Sequence, residues 1–490
     1  QALLDLGLAR QEAARRGIRV RRVRMLYPLD EEGLRAFARG LETLLVVEEK
    51  QPFVESQAVR ALYGVPGSPS VIGKRDEEGR PLVPADGELT APRIAEVLRR
   101  VLGPRVELRA EPRFRVDLPA LPVRRRAYFC SGCPHNRSTI VPEGSTAYGG
   151  IGCHGLVEMM ERKASAVAGI TQMGGEGAQW IGQSFATGGG HLFQNVGDGT
   201  FFHSGQLSLQ ACVAAGVDIT FKLFYNGAVA MTGGQDVVGA RSVADLTRKL
   251  EAEGVRRTIV CADEPERYRG VAVAGNAEVW DRSRLDEAQR VLRELKGVTV
   301  LVYDQRCAAE ARRLRKRGKL PSRRLRVVIN EEVCEGCGDC GRKSNCLSVH
   351  PVETELGMKR RIDQTSCNTD YSCLEGDCPA FVTVEIDPDR PAPERIAEPP
   401  VAPEPSGPEL AGTFNVLLAG VGGTGVVTVN QVLATAALLD GLEVHTLDQT
   451  GISQKAGPVV SHLRLARGEI EPSNRVGPES ADCYFALDLL

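Results

Sequence analysis

Apolar residues along the first 122 positions follow two alternating spacings. In "ALLDLGLARQEAARRG" (2–17) they recur three or four residues apart, which is the spacing of one helix face. "TLLVVEE" (43–49) is a short continuous apolar run, typical of a buried parallel strand. "APRIAEVLRRVLG" (91–103) returns to the helical spacing and precedes Pro104, which cannot continue a helix. Residues 1–122 are therefore predicted to form an α/β domain.

Residues 126–320 repeat this alternation with longer runs. "DITFKLFY" (218–225) and "VTVLVYD" (298–304) predict buried strands. "SRLDEAQRVLRELKG" (283–297) predicts a helix beside them. Strands that alternate with helices along a chain favour a parallel sheet, and we expect one in this domain.

The periodic pattern is weak in residues 325–387, which are rich in cysteine. Residues 388–412 are predicted to be an extended linker, because eight prolines fall between 388 and 408. Residues 413–490 begin with "FNVLLAGVGGTGVVTVNQVLATAALLDG" (414–441), a pattern of strand, glycine-rich turn and helix. The chain is thus predicted to be a multidomain α/β protein.

Composition narrows the class of protein. The chain has 490 residues, 42% of them hydrophobic, and a net charge of -2, so each domain can bury a core. No run approaches the roughly 20 apolar residues of a membrane helix, and no signal peptide is visible. The 14 cysteines of so long a chain predict a reducing compartment, the cytoplasm, rather than disulfides. Because the sequence starts at Gln1 and stops within an apparent strand, we expect a piece of a longer chain.

Seven of the cysteines lie between Cys334 and Cys378. "VCEGCGDCGRKSNC" is too crowded for the paired spacing of structural zinc, and it matches the turn that wraps a [4Fe–4S] cube. In bacterial ferredoxins the last cysteine of each half, before a proline, binds the other half's cluster. Iron–sulfur is therefore favoured over zinc. One predicted cluster takes Cys334, Cys337, Cys340 and Cys378; the second takes Cys346, Cys367 and Cys373, and lacks a fourth cysteine.

A second motif supplies oxygen ligands. Gly197, Asp198 and Gly199 follow a short strand-like run, and 26 residues separate Gly199 from Asn226. A carboxylate and an amide at the ends of neighbouring parallel strands can share one Mg²⁺, which substrate phosphates usually complete. Glycines there, and in "MGGEGAQ" (173–179), let backbone N–H groups approach a pyrophosphate. Alone, Gly-Asp-Gly is a common turn; the spacing to Asn226 favours a cation site.

These motifs resemble a known family. The sequence "GDG" is followed after 26 residues by an asparagine, and this pattern is similar to the motif that binds thiamine diphosphate and Mg²⁺. With "FCSGCPHN" (129–136), "FFHSG" (201–205), "AMTGGQ" (230–235) and the cysteine block, the chain resembles the indolepyruvate:ferredoxin oxidoreductases, the long fused form of the 2-oxoacid:ferredoxin oxidoreductase family. The resemblance implies a transketolase C-terminal-like domain (1–122), a thiamine-binding domain (126–320), a two-cluster ferredoxin-like insert (325–387) and a Rossmann-like, gamma-type domain (413–490).

The resemblance also implies a reaction. A 2-oxoacid such as indolepyruvate or another aryl pyruvate would be decarboxylated to acyl-CoA and CO₂, with electrons passing through clusters to ferredoxin. The glutamate that activates the thiamine is expected in a preceding domain outside this chain. A homo-oligomer is expected, with no nucleic-acid or membrane partner. The cofactor residues implied are Gly174, Gly175, Gly197, Asp198, Gly199, Thr200, Asn226 and Ala228, of which Asp198, Asn226 and the Ala228 carbonyl would bind Mg²⁺. His135 and His203 lie inside the motifs, where either could contact cofactor or substrate.

A third cluster is implied beside the thiamine. Cys130 and Cys133 form "CSGC", Cys153 lies in "GIGCHG", and Cys307 follows a predicted strand. In the family, cysteines at matching positions hold a cluster. The alternative is that some of these are small buried hydrophobic residues, which is our interpretation of Cys212 and Cys261.

Two further segments have more than one interpretation. "GVGGTGVV" (420–427) could be a dinucleotide-binding turn, with Asp448 as its acidic partner. The resemblance favours coenzyme A and domain contacts, together with "GISQKAGPVVSHLRL" (451–465). Between Arg312 and Arg326, nine of fifteen residues are Lys or Arg. This segment is either a solvated helix end or a landing surface for an acidic ferredoxin.

Three functions remain distinguishable. The favoured one is oxidative decarboxylation with ferredoxin as acceptor. A non-oxidative thiamine-dependent decarboxylase would not need the cysteine block. A non-catalytic electron-transfer module would not retain thiamine diphosphate.

Overall fold

The computed structural model describes residues 2–103, 127–376, 378–386, 410, 412–450, 457–470, 473–477 and 480–488. Nearly all of the predicted linker 388–412, together with residues 451–456 of the last motif, lies outside these ranges. No helix in the described part of the chain is both long and apolar enough to cross a membrane.

The N-terminal region is a small α/β unit. The pattern over 2–17 predicts one helix, but two are present, because the chain turns at Gly7 with a positive φ of 75°. The predicted strand at 43–49 is shorter, and it pairs in parallel with one other strand. The elements are α1 (Ala2–Asp5), α2 (Arg10–Arg15), α3 (Glu31–Ala38), β1 (Thr43–Leu45), α4 (Phe53–Leu62), β2 (Ser70–Ile72) and α5 (Ala91–Leu102).

The central region is built on a six-stranded, all-parallel sheet of order β3-β4-β5-β8-β6-β7. Its middle strands are apolar runs because helices cover both faces. The strands are β3 (Thr146–Tyr148), β4 (Leu192–Gly197), β5 (Ile219–Tyr225), β6 (Thr258–Ala262), β7 (Ala277–Asp281) and β8 (Val298–Asp304). The helices are α6 (His135–Ser138), α7 (Ala178–Ala186), α8 (Asp198–Thr200), α9 (Gln206–Ala215), α10 (Val243–Ala252), α11 (Leu285–Arg293) and α12 (Ala308–Lys316).

The main core lies in this central region, where Leu192, Ile219 and Leu223 are completely buried with aromatic neighbours from α7, β5 and the π-helical turn that follows α8. A π-helical turn, Phe201–Gly205, joins α8 to α9, so the chain is helical from Asp198 to Ala215. This continuous helix starts at the carboxyl end of β4. In parallel sheets that edge is where ligands usually bind.

The cysteine block consists of two antiparallel strand pairs and short helices. β9 (Leu325–Ile329) pairs with β12 (Phe381–Glu385), and β10 (Val349–Thr354) pairs with β11 (Gly357–Ile362). Between them lie α13 (Asp339–Ser344) and the 3-10 turn Ser372–Glu375. The first and last strands meet, so the block closes on itself around Val327, Ile329, Ala380 and several of its cysteines.

The C-terminal region has a mixed sheet of order β14-β15-β13-β16. The predicted strand, glycine turn and helix are present as β13 (Phe414–Val421) and α14 (Val426–Leu439). They are followed by β14 (Glu443–Gln449), β15 (Pro458–Ala466) and β16 (Cys483–Ala486). β15 runs antiparallel between β13 and β14, so the two strands joined by α14 are not adjacent.

Candidate functional site

The Gly-Asp-Gly motif and Asn226 lie at the carboxyl ends of neighbouring strands. β4 and β5 pair in parallel with Gly197 opposite Phe224, so Asp198 and Asn226 each follow the last residues of their strands. One Asp198 carboxylate oxygen accepts the backbone N–H groups of Asn226 at 2.9 Å and Gly227 at 2.8 Å. The other accepts the Gly199 N–H at 2.8 Å. The structure therefore brings the two motifs into direct contact.

The charge and donor set of this corner suit a hard cation. Burial raises the pKa of Asp198 to about 6, although three backbone N–H groups oppose the shift. A buried carboxylate of this kind is stabilised by a cation beside it. The Asn226 amide oxygen is 3.1 Å from the Ala228 N–H, so the chain returns on itself here. Carboxylate, amide and backbone carbonyl oxygens are the ligands Mg²⁺ takes, and the residues present fit it.

The glycine pair of "MGGEGAQ" packs against the helix that Asp198 opens. Gly174 has φ +88°, and a Cβ there would lie 2.6 Å from the Ser204 hydroxyl oxygen. Its carbonyl accepts the Ser208 hydroxyl and its N–H donates to the Glu176 carboxylate at 2.7 Å. A Cβ on Gly175 would meet the Gln172 side-chain amide at 2.6 Å. Side chains at these two positions are excluded by close packing.

The two candidate histidines occupy different environments. His135 is buried, with its ring centroid 5.1 Å from that of Phe224 and 5.9 Å from that of His154. His203 is exposed and lies 2.9 Å from the Ser204 hydroxyl. Of the two predicted histidines, only His135 therefore packs against the end of β5.

Two further polar residues at this edge were missed by the sequence reasoning. His154 is buried, burial lowers its pKa to about 4, and a Cβ on Gly197 would lie 3.7 Å from its ring. Glu176 is fully buried, and burial raises its pKa. Both lie inside glycine-rich motifs that the sequence singles out, but a single His or Glu has no spacing partner to distinguish it.

The four cysteines predicted near the thiamine lie on three segments. Cys130 and Cys133 pack with Leu156 and Val157 of the 3-10 helix that Cys153 opens. Cys307 donates its backbone N–H to the Asn226 carbonyl at 3.1 Å. Cys212 and Cys261 are fully buried, and burial raises the pKa of each thiol to about 12. These last two behave as core residues, as the sequence interpretation has it.

The cysteine block contains two groups of thiols. In the first, the pKa of Cys340 is raised by burial and, after it, by Cys334 and Cys337. In the second, the pKa of Cys373 is raised to about 12 by burial, then by Cys346 and Cys367. Across the described ranges, no three His, Cys, Asp or Glu side chains converge enough to hold a single metal ion. In a cube each thiolate binds a different iron, so the ligands of a cluster are spaced more widely than the ligands of one zinc ion.

The second group lies directly on the "FCSGCPHN" segment of the central region. The Gly132 N–H donates to the Cys346 sulfur at 3.3 Å, and the Asn368 amide donates to the Ser131 carbonyl at 2.8 Å. Asn345 donates to the Asn136 amide oxygen at 3.0 Å. The first group is further out, and Cys337 is exposed. The second group therefore contacts the central region, whereas one cysteine of the first group is open to solvent.

The basic segment 312–326 contributes to this contact. Arg312, Arg315 and Arg323 donate to the backbone carbonyls of Thr365, Asn368 and Thr369 at 2.5, 3.3 and 2.8 Å. These arginines hold the loop that contains Cys367, so they are not free for a landing surface.

Three family profiles match separate parts of the chain. "Indolepyruvate oxidoreductase domain" matches residues 1–115 and "Thiamine pyrophosphate enzyme, C-terminal TPP binding domain" matches residues 150–303. "Pyruvate ferredoxin/flavodoxin oxidoreductase" matches residues 415–489.

Curated relatives match a longer part of the chain. Indolepyruvate oxidoreductase subunit IorA of Pyrococcus horikoshii is 25% identical over 366 residues, which are 70% of this chain and 52% of that protein. IorA of Archaeoglobus fulgidus is 28% identical over 359 residues, with the same coverage. Subunit IorB of A. fulgidus is 39% identical over 77 residues, 15% of this chain and 36% of that protein. The chain thus spans about half the length of the IorA relatives.

One solved structure that matches is the 2-oxoglutarate:ferredoxin oxidoreductase of Magnetococcus marinus, with 2-oxoglutarate, coenzyme A and succinyl-CoA bound. The match has a TM-score of 0.28 and 18% identity, and it covers 39% of this chain and 66% of that one. The family profiles and the curated relatives agree with each other. Separate parts of the chain are thus similar to the indolepyruvate oxidoreductases, to thiamine pyrophosphate enzymes and to pyruvate ferredoxin/flavodoxin oxidoreductases.

Proposed function

We propose that this chain is the part of a 2-oxoacid:ferredoxin oxidoreductase that binds thiamine diphosphate and conducts electrons away from it. One observation carries the proposal: the cysteine block is docked on the same domain that holds the Asp198–Asn226 corner. The contact is made through the "CSGC" loop, with the Gly132 N–H on the Cys346 sulfur at 3.3 Å. A cofactor site and thiol groups held on one domain are what a reaction with one-electron acceptors requires.

Asp198, Asn226 and the Ala228 carbonyl would hold Mg²⁺, and Gly197, Gly199, Thr200, Gly174 and Gly175 would lie along the pyrophosphate. Thiamine diphosphate, when bound, supplies the electron sink for decarboxylation. The chain's own contribution is positioning. Three backbone N–H groups fix the Asp198 carboxylate, so its lone pairs stay directed without a change of rotamer. His154, neutral through burial, places an uncharged ring beside Gly197.

The clusters would pass electrons from the thiamine to ferredoxin in a fixed order. A cluster on Cys130, Cys133, Cys153 and Cys307 would lie nearest the cofactor, because the Cys307 N–H bonds to the Asn226 carbonyl at 3.1 Å. The Cys346, Cys367 and Cys373 group comes next, in contact with Gly132. The group of Cys334, Cys337, Cys340 and Cys378 comes last and presents the exposed Cys337 to ferredoxin. This order is the reason for assigning the block a ferredoxin-like role.

The C-terminal region is proposed to serve coenzyme A rather than a nicotinamide. Asp448, the only acidic candidate for a ribose, accepts hydrogen bonds from the Asn430 amide at 2.9 Å and from the Ser461 hydroxyl. It is therefore committed to holding β14 against α14 and β15. A cavity of about 430 Å³ is lined by Gly422 and Gly423 of the glycine turn and by Cys130, Gly233 and Arg313 of the central region. We assign this cavity to coenzyme A, the acyl acceptor, which would bind here on a Rossmann-like domain.

The substrate is proposed to be an aryl pyruvate, on the names of the IorA relatives. In the complete protein, we expect indolepyruvate to support ferredoxin reduction faster than pyruvate or 2-oxoglutarate does. Equal rates with all three would remove the aryl preference and leave the reaction class intact.

The function itself is tested at the cation corner. Asp198→Ala in the complete protein should abolish retention of thiamine diphosphate while iron content stays at the wild-type level, because the cation that neutralises the pyrophosphate is lost. Asp218→Ala is the matched control, since Asp218 also accepts a backbone N–H, from Gly297 at 2.8 Å, but precedes β5 at the opposite edge of the sheet. Unchanged thiamine content in Asp198→Ala would show that the motif is only a turn.

A further inference from the structure

The second half of the cysteine block repeats the first with one replacement. Cys334, Cys337 and Cys340 are spaced by two residues each, and Cys367, Asp370 and Cys373 have the same spacing. The middle ligand position of the second half is thus an aspartate. It belongs to the group completed by Cys346, because the last cysteine of one ferredoxin half serves the other half's cluster. Asp370 is the residue that occupies the missing fourth position.

The carboxylate of Asp370 is engaged elsewhere. One oxygen accepts Arg282 Nη1 at 2.6 Å and the Gln305 amide at 2.7 Å. Ser372 bonds to the carboxylate as well, and Arg282 Nη2 donates to the Asp370 backbone carbonyl at 2.7 Å. The ion pair is buried, with 12% of the Arg282 side chain and 8% of the Asp370 side chain exposed. Moving this carboxylate to an iron would leave Arg282 short of its closest anionic partner.

Arg282 is itself held in place. Its Nε lies 3.1 Å from an oxygen of Asp263, a residue that follows β6. Arg323 bridges Asp263 and the Thr369 carbonyl at 3.3 and 2.8 Å. A Cβ on Gly132 would lie 2.9 Å from the Asp370 Cβ, so backbone and side chain are packed closely on this face. The loop from Cys367 to Cys373 is therefore fixed in the orientation that points Asp370 at the parallel-sheet domain.

The geometry points to a second cluster that is bound by three thiolates only, those of Cys346, Cys367 and Cys373. Asp370 does not bind iron; it locks the cluster loop to the central domain through Arg282 and Gln305. The iron at the fourth corner has no protein ligand and is labile. The site is thus a three-thiolate iron–sulfur site, which holds a three-iron cluster in protein isolated without added iron and takes up a fourth iron from solution.

The inference rests on the proposal that the block binds two clusters. The three-iron cluster converts to a four-iron cluster by taking up iron. One oxidised three-iron cluster, one ferrous ion and one electron together give one four-iron cluster in its usual resting state. Ferrous iron and dithionite supply the metal and the electron in the experiment below. No substrate is needed, so the result does not depend on the activity of the protein.

The test combines iron analysis with electron paramagnetic resonance on the complete protein, purified anaerobically without added iron. We expect the wild type to show the signal of an oxidised three-iron cluster, and to lose it on incubation with ferrous iron and dithionite. Asp370→Cys removes the carboxylate that Arg282 and Gln305 hold, which frees the side chain at position 370 to turn to the cluster. It should retain about one more iron per chain than the wild type, on the count of four per cube, and lack the three-iron signal. Asp370→Asn keeps the shape and an acceptor for Arg282, and should match the wild type in iron and signal.

The opposite pattern would overturn the inference. A wild type without the three-iron signal, together with loss of iron in Asp370→Asn, would make Asp370 an iron ligand. A protein with zinc and no iron would instead overturn the proposed function, so the two failures are distinguishable.

Discussion

The two halves of the cysteine block have the same spacing and opposite surroundings. The loop from Cys334 to Cys340 has cysteine at all three positions, and Cys337 at its centre is exposed. The loop from Cys367 to Cys373 has Asp370 at its centre, buried against Arg282. One loop is free to meet a partner, whereas the other is fastened to the domain that holds the Asp198–Asn226 corner. The repeat thus has a cysteine at its middle position in one copy and, in the other, an aspartate that contacts the central domain.

On the proposed function, this difference would give the electron path a direction. An all-cysteine loop at the surface can pass electrons to a mobile acceptor at short range. A loop bound through Gly132, Arg315 and Arg323 stays close to the sheet edge whatever the acceptor does. The loop from Cys367 to Cys373 would then hold the inner cluster of the proposed path, and the loop from Cys334 to Cys340 would hold the outer one.

The largest effect is expected from removing a ligand of each loop in turn. Cys373→Ala and Cys337→Ala should each lower iron by up to about four atoms, the content of one cube. Both should abolish 2-oxoacid-dependent ferredoxin reduction, because each interrupts a single path. Iron analysis and reduction assays on the complete protein measure this. If either variant still reduced ferredoxin at the wild-type rate, the two loops would not be in series.

A smaller loss of iron is expected at the start of the path. Cys307→Ala should lower iron by about one to four atoms, since a cube with three thiolates loses one iron or all of them. Cys212→Ala is the control, because Cys212 is a fully buried core thiol. Full iron content and normal ferredoxin reduction in Cys307→Ala would make Cys307 a core residue too, and the inner loop would then receive electrons by another route.

The docking contact is expected to show in stability. Arg282→Met leaves the buried Asp370 without its cation, and breaking such a pair costs about 3–5 kcal/mol. Arg290→Met is the matched control: its pair with Asp286, at 2.7 Å, has side chains 53% and 61% exposed, so water screens the pair and its loss should change stability little. Urea unfolding followed by cluster absorbance compares the two. Equal midpoints would mean that the inner loop is held by its backbone contacts alone.

The smallest effect concerns the "CSGC" loop beneath the inner cluster. Gly132→Ala and Gly144→Ala both force alanine into positive φ, 65° and 73°, at a cost of roughly 1–2 kcal/mol. Only the Gly132 Cβ meets a neighbour, 2.9 Å from that of Asp370, which adds about 1–3 kcal/mol of overpacking. Thermal unfolding should therefore rank Gly132→Ala below Gly144→Ala. The reverse order would contradict the close contact between these loops.

The regular elements were largely predictable from sequence, because β5, β8, α11 and α14 carry strong periodic or continuous apolar patterns. The breaks were not: Gly7 divides the first helix, and β15 inserts between β13 and β14 through pairing of distant segments. Within the candidate site, the spacing from Gly199 to Asn226 predicted that the two strand ends would meet. The role of Asp370 could not be predicted, because its partner Arg282 lies 88 residues away. The basic segment shows the same limit, since composition does not say which arginines face inward.

The order of the two loops is the central claim, and rapid-freeze electron paramagnetic resonance tests it most directly. The complete protein, loaded with thiamine diphosphate and Mg²⁺, is mixed with a 2-oxoacid and coenzyme A in the absence of ferredoxin. We predict that the three-iron signal of the oxidised inner cluster is lost before the signal of the reduced outer cluster appears, and that Cys373→Ala, lacking the inner cluster, leaves the outer cluster oxidised. Reduction of the outer cluster first, or at an unchanged rate in Cys373→Ala, would contradict the account.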